Sequence, residues 1–306
     1  MKAIEIDINL QQIKSDLFFE KEIEVIVARL DLIHPLISGN KIFKLHYFIE
    51  DAKRKNKKTI VTQGGAFSNH LVATANYCHS NGLKSIGLVR GELAEKASHT
   101  ISACEEAKMD IFFVDRGAYP EINEQNFTAY IPNHLNDQLD QYYFIPEGGF
   151  DELGAAGASI IFEKISKATP PTHIITAIGT ATTIAGLIKN CHTNIEIIGI
   201  PVLKGMKDIE NRLAKLLPYQ AYKSPALFYD YHFGGYAKNN HLLLDFMNEF
   251  YKEFHIPTDF VYTGKMMFGT IDLIKKNHFP PGSRIICLHT GGLQGNLSLP
   301  NNTLVF

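Results

Sequence analysis

The chain is poor in the features that would each announce a chemistry on their own. Its four cysteines, Cys78, Cys104, Cys191 and Cys287, are far apart and form no Cys-x-x-Cys pair, so reduced, mostly buried thiols are expected. Neither sign of charge dominates. With 30 Lys and Arg against 32 Asp and Glu, the formal net charge of −2 excludes the basic field of a nucleic-acid binder and favours small-molecule partners. No segment approaches the roughly 18 uninterrupted apolar residues of a membrane-crossing helix. Acidic residues occupy the opening stretch where a signal peptide carries its apolar core, so a cytoplasmic protein is expected. Neither Gly-x-Gly-x-x-Gly nor Gly-x-x-x-x-Gly-Lys occurs, which disfavours the usual nucleotide folds, and the absence of Gly-x-Ser-x-Gly disfavours a serine hydrolase. The 13 histidines include no His-Glu-x-x-His, so no metal is expected.

What is present is alternation. At 306 residues, 45% of them hydrophobic, the chain can bury a large core in one large or two modest domains. Strand-like runs at 22–28, 59–62, 85–89, 111–114, 142–145, 173–178, 195–200 and 284–288 are separated by helical spacings at 43–54, 70–80, 92–107, 152–167 and 182–190. Further helices are expected near 207–217, 242–254 and after Gly264. Such alternation argues for parallel βαβ units and an α/β fold with parallel-rich sheets flanked by helices. Residues 116–141 are polar and weakly periodic, with Pro120 and Pro132, and read as irregular surface or interdomain structure.

Five turns carry residues with chemical capacity. Ser38-Gly39-Asn40-Lys41 brings a lysine to a helix start, where the unpaired N–H groups disfavour the ammonium form and suit an amine that reacts with a carbonyl. Alone, it reads as a surface lysine at a helix start, and only the motifs downstream reverse that reading. Ser68-Asn69-His70 ends a strand and opens a helix, the place where α/β sheets put ligands, although an N-cap serine with two solvated neighbours fits as well. Gly179-Thr180-Ala181-Thr182-Thr183 has the backbone N–H groups and hydroxyls to bind a phosphate at a helix N-terminus, or simply to cap it. Tyr262-Thr263-Gly264-Lys265 and His289-Thr290-Gly291-Gly292 complete the set, and Thr290 is expected at a strand's C-terminal edge.

Together, in this order and over about 31–292, these motifs resemble the pyridoxal-phosphate enzymes of the tryptophan synthase β-subunit fold (fold type II), in the branch holding D-cysteine desulfhydrase and 1-aminocyclopropane-1-carboxylate deaminase. The resemblance implies two lobes, with a large cofactor-binding domain from 1–43 and 145–306 and a small α/β domain inserted at 44–144, and a homodimer. It implies that Lys41 joins pyridoxal 5'-phosphate covalently, that Asn69 lies near the ring hydroxyl, and that residues 179–183 hold the phosphate. Ser68, His70 and Tyr262 would face substrate, with Lys41, Ser68 and Tyr262 catalytic and Thr290 near the pyridine nitrogen. Two departures matter. Ala181 stands where relatives have glycine, and Thr263 stands where the deaminases have the glutamate that keeps the pyridine protonated. A neutral hydroxyl there gives a weaker electron sink, adequate for removing an α-proton and expelling thiolate but poorly suited to opening a cyclopropane. The resemblance therefore implies a lyase or deaminase acting on a small amino acid, D-cysteine before 1-aminocyclopropane-1-carboxylate, or else a cofactor-binding protein without turnover.

Overall fold

Two sheets organise the chain, each built from segments that alternate apolar residues between its faces. The structure, a computed structural model, describes residues 6–37, 39–92, 97–132, 134–135, 140–191, 194–219 and 221–306. Ser38 and part of the expected helix over 92–107 lie outside the described residues.

The chain opens with β1 (Leu10–Ile13), α1 (Asp16–Glu20), β2 (Glu24–Arg29) and α2 (Lys41–Arg54). It continues as β3 (Thr59–Gly65), α3 (Asn69–Ser80), β4 (Lys84–Arg90), α4 (His99–Glu106), β5 (Met109–Val114) and β6 (Tyr142–Ile145). The remainder is α5 (Glu152–Ala168), β7 (His173–Ile178), α6 (Thr182–Asn190), β8 (Glu196–Pro201), α7 (Ile209–Leu216), β9 (Ala226–Leu227), α8 (His241–Phe254), α9 (Thr263–Lys275) and β10 (Arg284–His289). One sheet runs β1-β2-β10-β7-β8-β9 and the other β5-β4-β3-β6, and all pairings are parallel except β1 with β2. Three short elements, β1, α1 and β9, have no counterpart in the sequence reading. β1 is an edge strand with two glutamines at its centre and carries little apolar alternation.

In the larger sheet, Val25 and Val27 of β2 point into one core with Ile285 and Cys287 of β10, while Ile26 and Ala28 point into the other with Ile286 and Leu288. Helices cover both faces, as a parallel sheet requires. α2, α5, α6 and α7 supply one core and α8 and α9 contribute to the other. α2 buries residues all round its circumference, among them Phe43, Lys44, Leu45, Phe48 and Ile49, as its crowded apolar pattern predicts. It can lie close to α5 because Gly157 faces it: a Cβ there would sit 2.1 Å from the Phe43 carbonyl oxygen.

The expectation for 116–141 needs correction. Short 3-10 turns at Tyr119–Glu121 and Phe127–Tyr130 bring Tyr119, Ile122, Phe127 and Ile131 into a core with Val61, Leu88 and Phe144. The segment covers a face of the four-stranded sheet. Its few apolar residues occur at turn spacing, which leaves no helix or strand period to read.

Candidate active site

The site lies at the C-terminal ends of strands from both sheets, where open α/β sheets place their ligands. A cavity of about 350 Å³ is lined by residues of all five turns: Asn40 and Lys41, Ser68 to His70, Gly179 to Ala181 with Thr183, Tyr262, and Thr290 to Gly292. Of the residues expected to line it, Thr182 and Thr263 are absent from its wall. Thr182 is fully buried, with its hydroxyl 2.9 Å from that of Thr180.

Hydrogen bonds tie the turns together. Gly39 has φ +73°, and a Cβ there would collide with the Thr290 carbonyl oxygen at 1.8 Å, so glycine is needed both for the conformation and for the approach. The next residue, Asn40, donates its backbone N–H to that carbonyl oxygen at 3.3 Å and its side-chain N–H to the Thr183 hydroxyl at 2.7 Å. Lys41 opens α2 and donates from Nζ to the Asn40 amide oxygen at 2.7 Å. Burial lowers its pKa from 10.5 to about 8, opposed by the negative charge of Asp259. Desolvation, rather than the helix terminus invoked from sequence, is the main cause.

Lys44, one turn further along α2, is a functional candidate that the sequence reading missed. It is buried, lines the cavity, and donates to the Gly148 carbonyl oxygen at 3.1 Å, while a Cβ on Gly148 would lie 2.7 Å from Thr180. Its ammonium thus sits beside the loop expected to hold phosphate. Its pKa falls well below the ordinary value, by burial first and by the charge of Lys41 second. The signal was available: positions three apart on a helix share a face.

The two strand-to-helix turns differ. After β3, the Ser68 hydroxyl caps α3 by accepting the His70 N–H at 3.2 Å. After β7, Ala181 adopts the left-handed conformation, φ 71°, and no side chain caps α6. The departure at position 181 is therefore met by an alanine held where glycine is favoured, at a cost of about 1 kcal/mol.

His70 lines the cavity but is only 3% exposed. Thr62 donates its hydroxyl to the Ile145 carbonyl oxygen at 2.7 Å, so at its 2.9 Å contact with His70 Nε2 it accepts. His70 carries its proton on Nε2 and leaves Nδ1 a buried acceptor without a partner. Burial, helped by Lys41 and Lys44, lowers its pKa to about 3, and the ring stays neutral.

Thr263 does not offer its hydroxyl to the cavity. It is fully buried and donates to Asp259 Oδ1 at 2.7 Å, which corrects the expectation of two hydroxyls facing the cofactor. Asp259, unremarked in the sequence, is also fully buried. Its Oδ1 accepts in addition the Thr263 N–H at 2.8 Å, and its Oδ2 accepts the N–H groups of Val261 and Tyr262 at 2.9 and 2.8 Å. All the acceptor positions of this carboxylate are thereby occupied. Tyr262 packs its ring edge on Gly179 and stands T-shaped to Tyr236 at 6.0 Å, and burial holds its phenol well above its ordinary pKa.

The pattern of the pyridoxal-phosphate dependent enzyme family matches residues 11–291. The chain belongs to that family. Its cofactor is pyridoxal 5'-phosphate, and the residues present fit it: a carbonyl-reactive amine in Lys41, an uncapped helix N-terminus with Lys44 beside it, and a buried Asn69 Oδ1 that has no partner of its own. A solved structure described as an ACC deaminase homologue is similar over 96% of this chain and 92% of that one, at 26% identity and TM-score 0.81. A fungal L-serine ammonia-lyase from Rhizomucor miehei matches over 94% of each chain at 14% identity and TM-score 0.64. A hydrogen sulfide-producing enzyme from Fusobacterium nucleatum matches over 94% and 93% at 14% identity and TM-score 0.65. These likenesses establish the architecture of fold type II enzymes.

Proposed function

We propose that the protein is a pyridoxal-phosphate-dependent lyase that eliminates the β-substituent of a small D-amino acid, with D-cysteine giving pyruvate, sulfide and ammonia. Lys41 would hold the cofactor covalently, residues 179–183 and Lys44 its phosphate, Asn69 its ring hydroxyl, and Thr290 its ring nitrogen. When bound, the cofactor supplies the electron sink that makes an α-proton removable.

The Ser68 hydroxyl, already accepting the His70 N–H, keeps its own proton free to donate to a substrate carboxylate at the α3 N-terminus. Lys41 Nζ, with its pKa near 8, is matched to accept an α-proton near neutral pH. Tyr262 stays protonated and is suited to donate toward a departing group. Asp259 bears on the choice of substrate, because its saturated oxygens are not available to keep a ring nitrogen protonated and Thr263 beside it is no carboxylate. Elimination of a good leaving group tolerates that weaker sink, and cyclopropane opening demands more.

The likeness to an ACC deaminase homologue supports the second reading, 1-aminocyclopropane-1-carboxylate deamination. Assay of both substrates on the unmodified protein decides between them. We expect sulfide and pyruvate from D-cysteine and little 2-oxobutyrate from the cyclopropane, and a kcat/KM for the cyclopropane equal to or above that for D-cysteine overturns the assignment. A protein that binds the cofactor without turnover would show its visible absorbance band unchanged by any amino acid. Borohydride reduction followed by peptide mapping tests the lysine: the pyridoxyl group is expected on Lys41, not on Lys44 or Lys265. Uptake of cofactor by the apoprotein should accelerate up to about pH 8 and then level, because the neutral amine reacts and its pKa lies near 8 rather than 10.5. The homodimer is part of the same proposal, checked by sedimentation.

A further inference from the structure

The cavity wall also carries Arg90, Glu147, Arg212 and Tyr236, none of which has a role in the proposed elimination. Glu147 is the one carboxylate on the wall among the described residues. It follows β6, while Arg90 ends β4, so two strands of the four-stranded sheet deliver opposite charges to the same space.

The two charges do not close on each other. Arg212 donates to Asp208 at 2.8 Å, but among the described residues neither Glu147 nor Arg90 forms an ion pair. Arg90 instead lies over the Tyr119 ring, 5.5 Å from its centroid. Tyr119 is 4% exposed, and its hydroxyl lies beside the Glu147 carboxyl. Burial pushes the Glu147 carboxyl above its ordinary pKa, against the pull of Arg90 and Arg212. A carboxylate and a guanidinium that line one space without closing on each other are each free to take the opposite charge of a ligand. A structural pair would have closed into a forked contact.

We propose that Glu147 and Arg90 form a subsite for the far end of the substrate, taking the ammonium and carboxylate of a second amino-acid group joined to the β-carbon through sulfur. Glu147 accepts from the ammonium and Arg90 clamps the carboxylate, so thioether-linked diamino acids are the substrate class. This rests on the elimination reading and extends it from D-cysteine to substituted sulfur. The Cβ–S bond breaks, its electron pair leaves with sulfur, sulfur takes a proton to become a thiol, the α-proton goes to Lys41, and one water completes release of the keto acid and ammonium.

Binding separates the subsite from the chemistry. meso-2,6-Diaminopimelate has an amino-acid group at each end and no leaving group, while norleucine lacks the second group. Calorimetry on the holoenzyme should show diaminopimelate binding at least about tenfold more tightly than norleucine, the worth of one charge-assisted contact. Glu147→Gln and Arg90→Gln should each erase that ratio. Equal affinities in the unmodified protein, which needs no variant to fold, overturn the subsite, as does a ratio kept in both variants. Failure of D-cysteine to yield sulfide while the diaminopimelate preference stands sinks the elimination reading and leaves the subsite intact.

Discussion

The turn after β3 and the turn after β7 have the same topology, strand into helix at the sheet's C-terminal edge, yet they treat the first helical turn oppositely. At Ser68 the backbone is extended, φ −78° and ψ 115°, and the side chain satisfies an N–H of its own helix. At Ala181 the backbone is left-handed and no side chain reaches the α6 N–H groups. A self-capped end needs a ligand less and can exchange it, as a substrate seat must. An uncapped end with Lys44 beside it is completed only by an anion, as suits a resident phosphate.

Giving the second turn the first one's device should break this contrast most severely. Ala181→Asp is conformationally tolerable, since Asp visits the left-handed region, but it caps α6 and puts a carboxylate in the anion seat. Cofactor affinity should fall by about 100-fold or more, read by absorbance titration of the apoprotein. A fall of only a few-fold would mean that the phosphate sits elsewhere.

Removing the neighbouring charge is the next largest test. Lys44→Met should weaken cofactor binding by about 10- to 100-fold, the worth of a charged hydrogen bond, while KM for D-cysteine at saturating cofactor moves less. The opposite split, KM moving and cofactor affinity holding, would place Lys44 on the substrate side.

Ser68→Ala removes the cap of α3 and should cost about 1 kcal/mol of stability, visible as a lower Tm, together with a raised KM. Cofactor affinity unchanged by Ser68→Ala would sharpen the division of labour between the turns. The smallest effect is expected from Ala181→Gly, which relieves the left-handed alanine and offsets that with added unfolded-state freedom, for a net gain of about 0.5–1 kcal/mol. The conformation is the same with or without a ligand in this account, so stability should rise while cofactor affinity holds. A large gain in affinity would instead show that alanine distorts the loop.

The strands and helices were legible because their periods are local. β6, β7 and α6 have the bounds expected from sequence, and most other elements shift by one to a few residues. α1 and β1 escaped because five and four residues carry too little period to detect. The five turns were legible because small residues beside strand ends are rare enough to notice. Their conformations were not: nothing in Gly-Thr-Ala-Thr-Thr announces that Ala181 accepts φ 71°.

Sequence by itself determined which turns carry the candidate residues, since Lys41, Ser68, Asn69 and the threonines at 180, 182 and 183 are defined by adjacent positions. Tertiary structure decided what each is worth. Lys44 gains its place from a carbonyl 104 positions away, and Asn40 reaches Thr183 across 143. Thr263, in sequence a free hydroxyl at the site, is claimed by Asp259 four residues earlier. Glu147 and Arg90 share a wall only because β3 lies between β4 and β6 in the sheet. Burial, hydrogen-bond saturation and the fields of distant charges are properties of what surrounds a group, and folding supplies the surroundings.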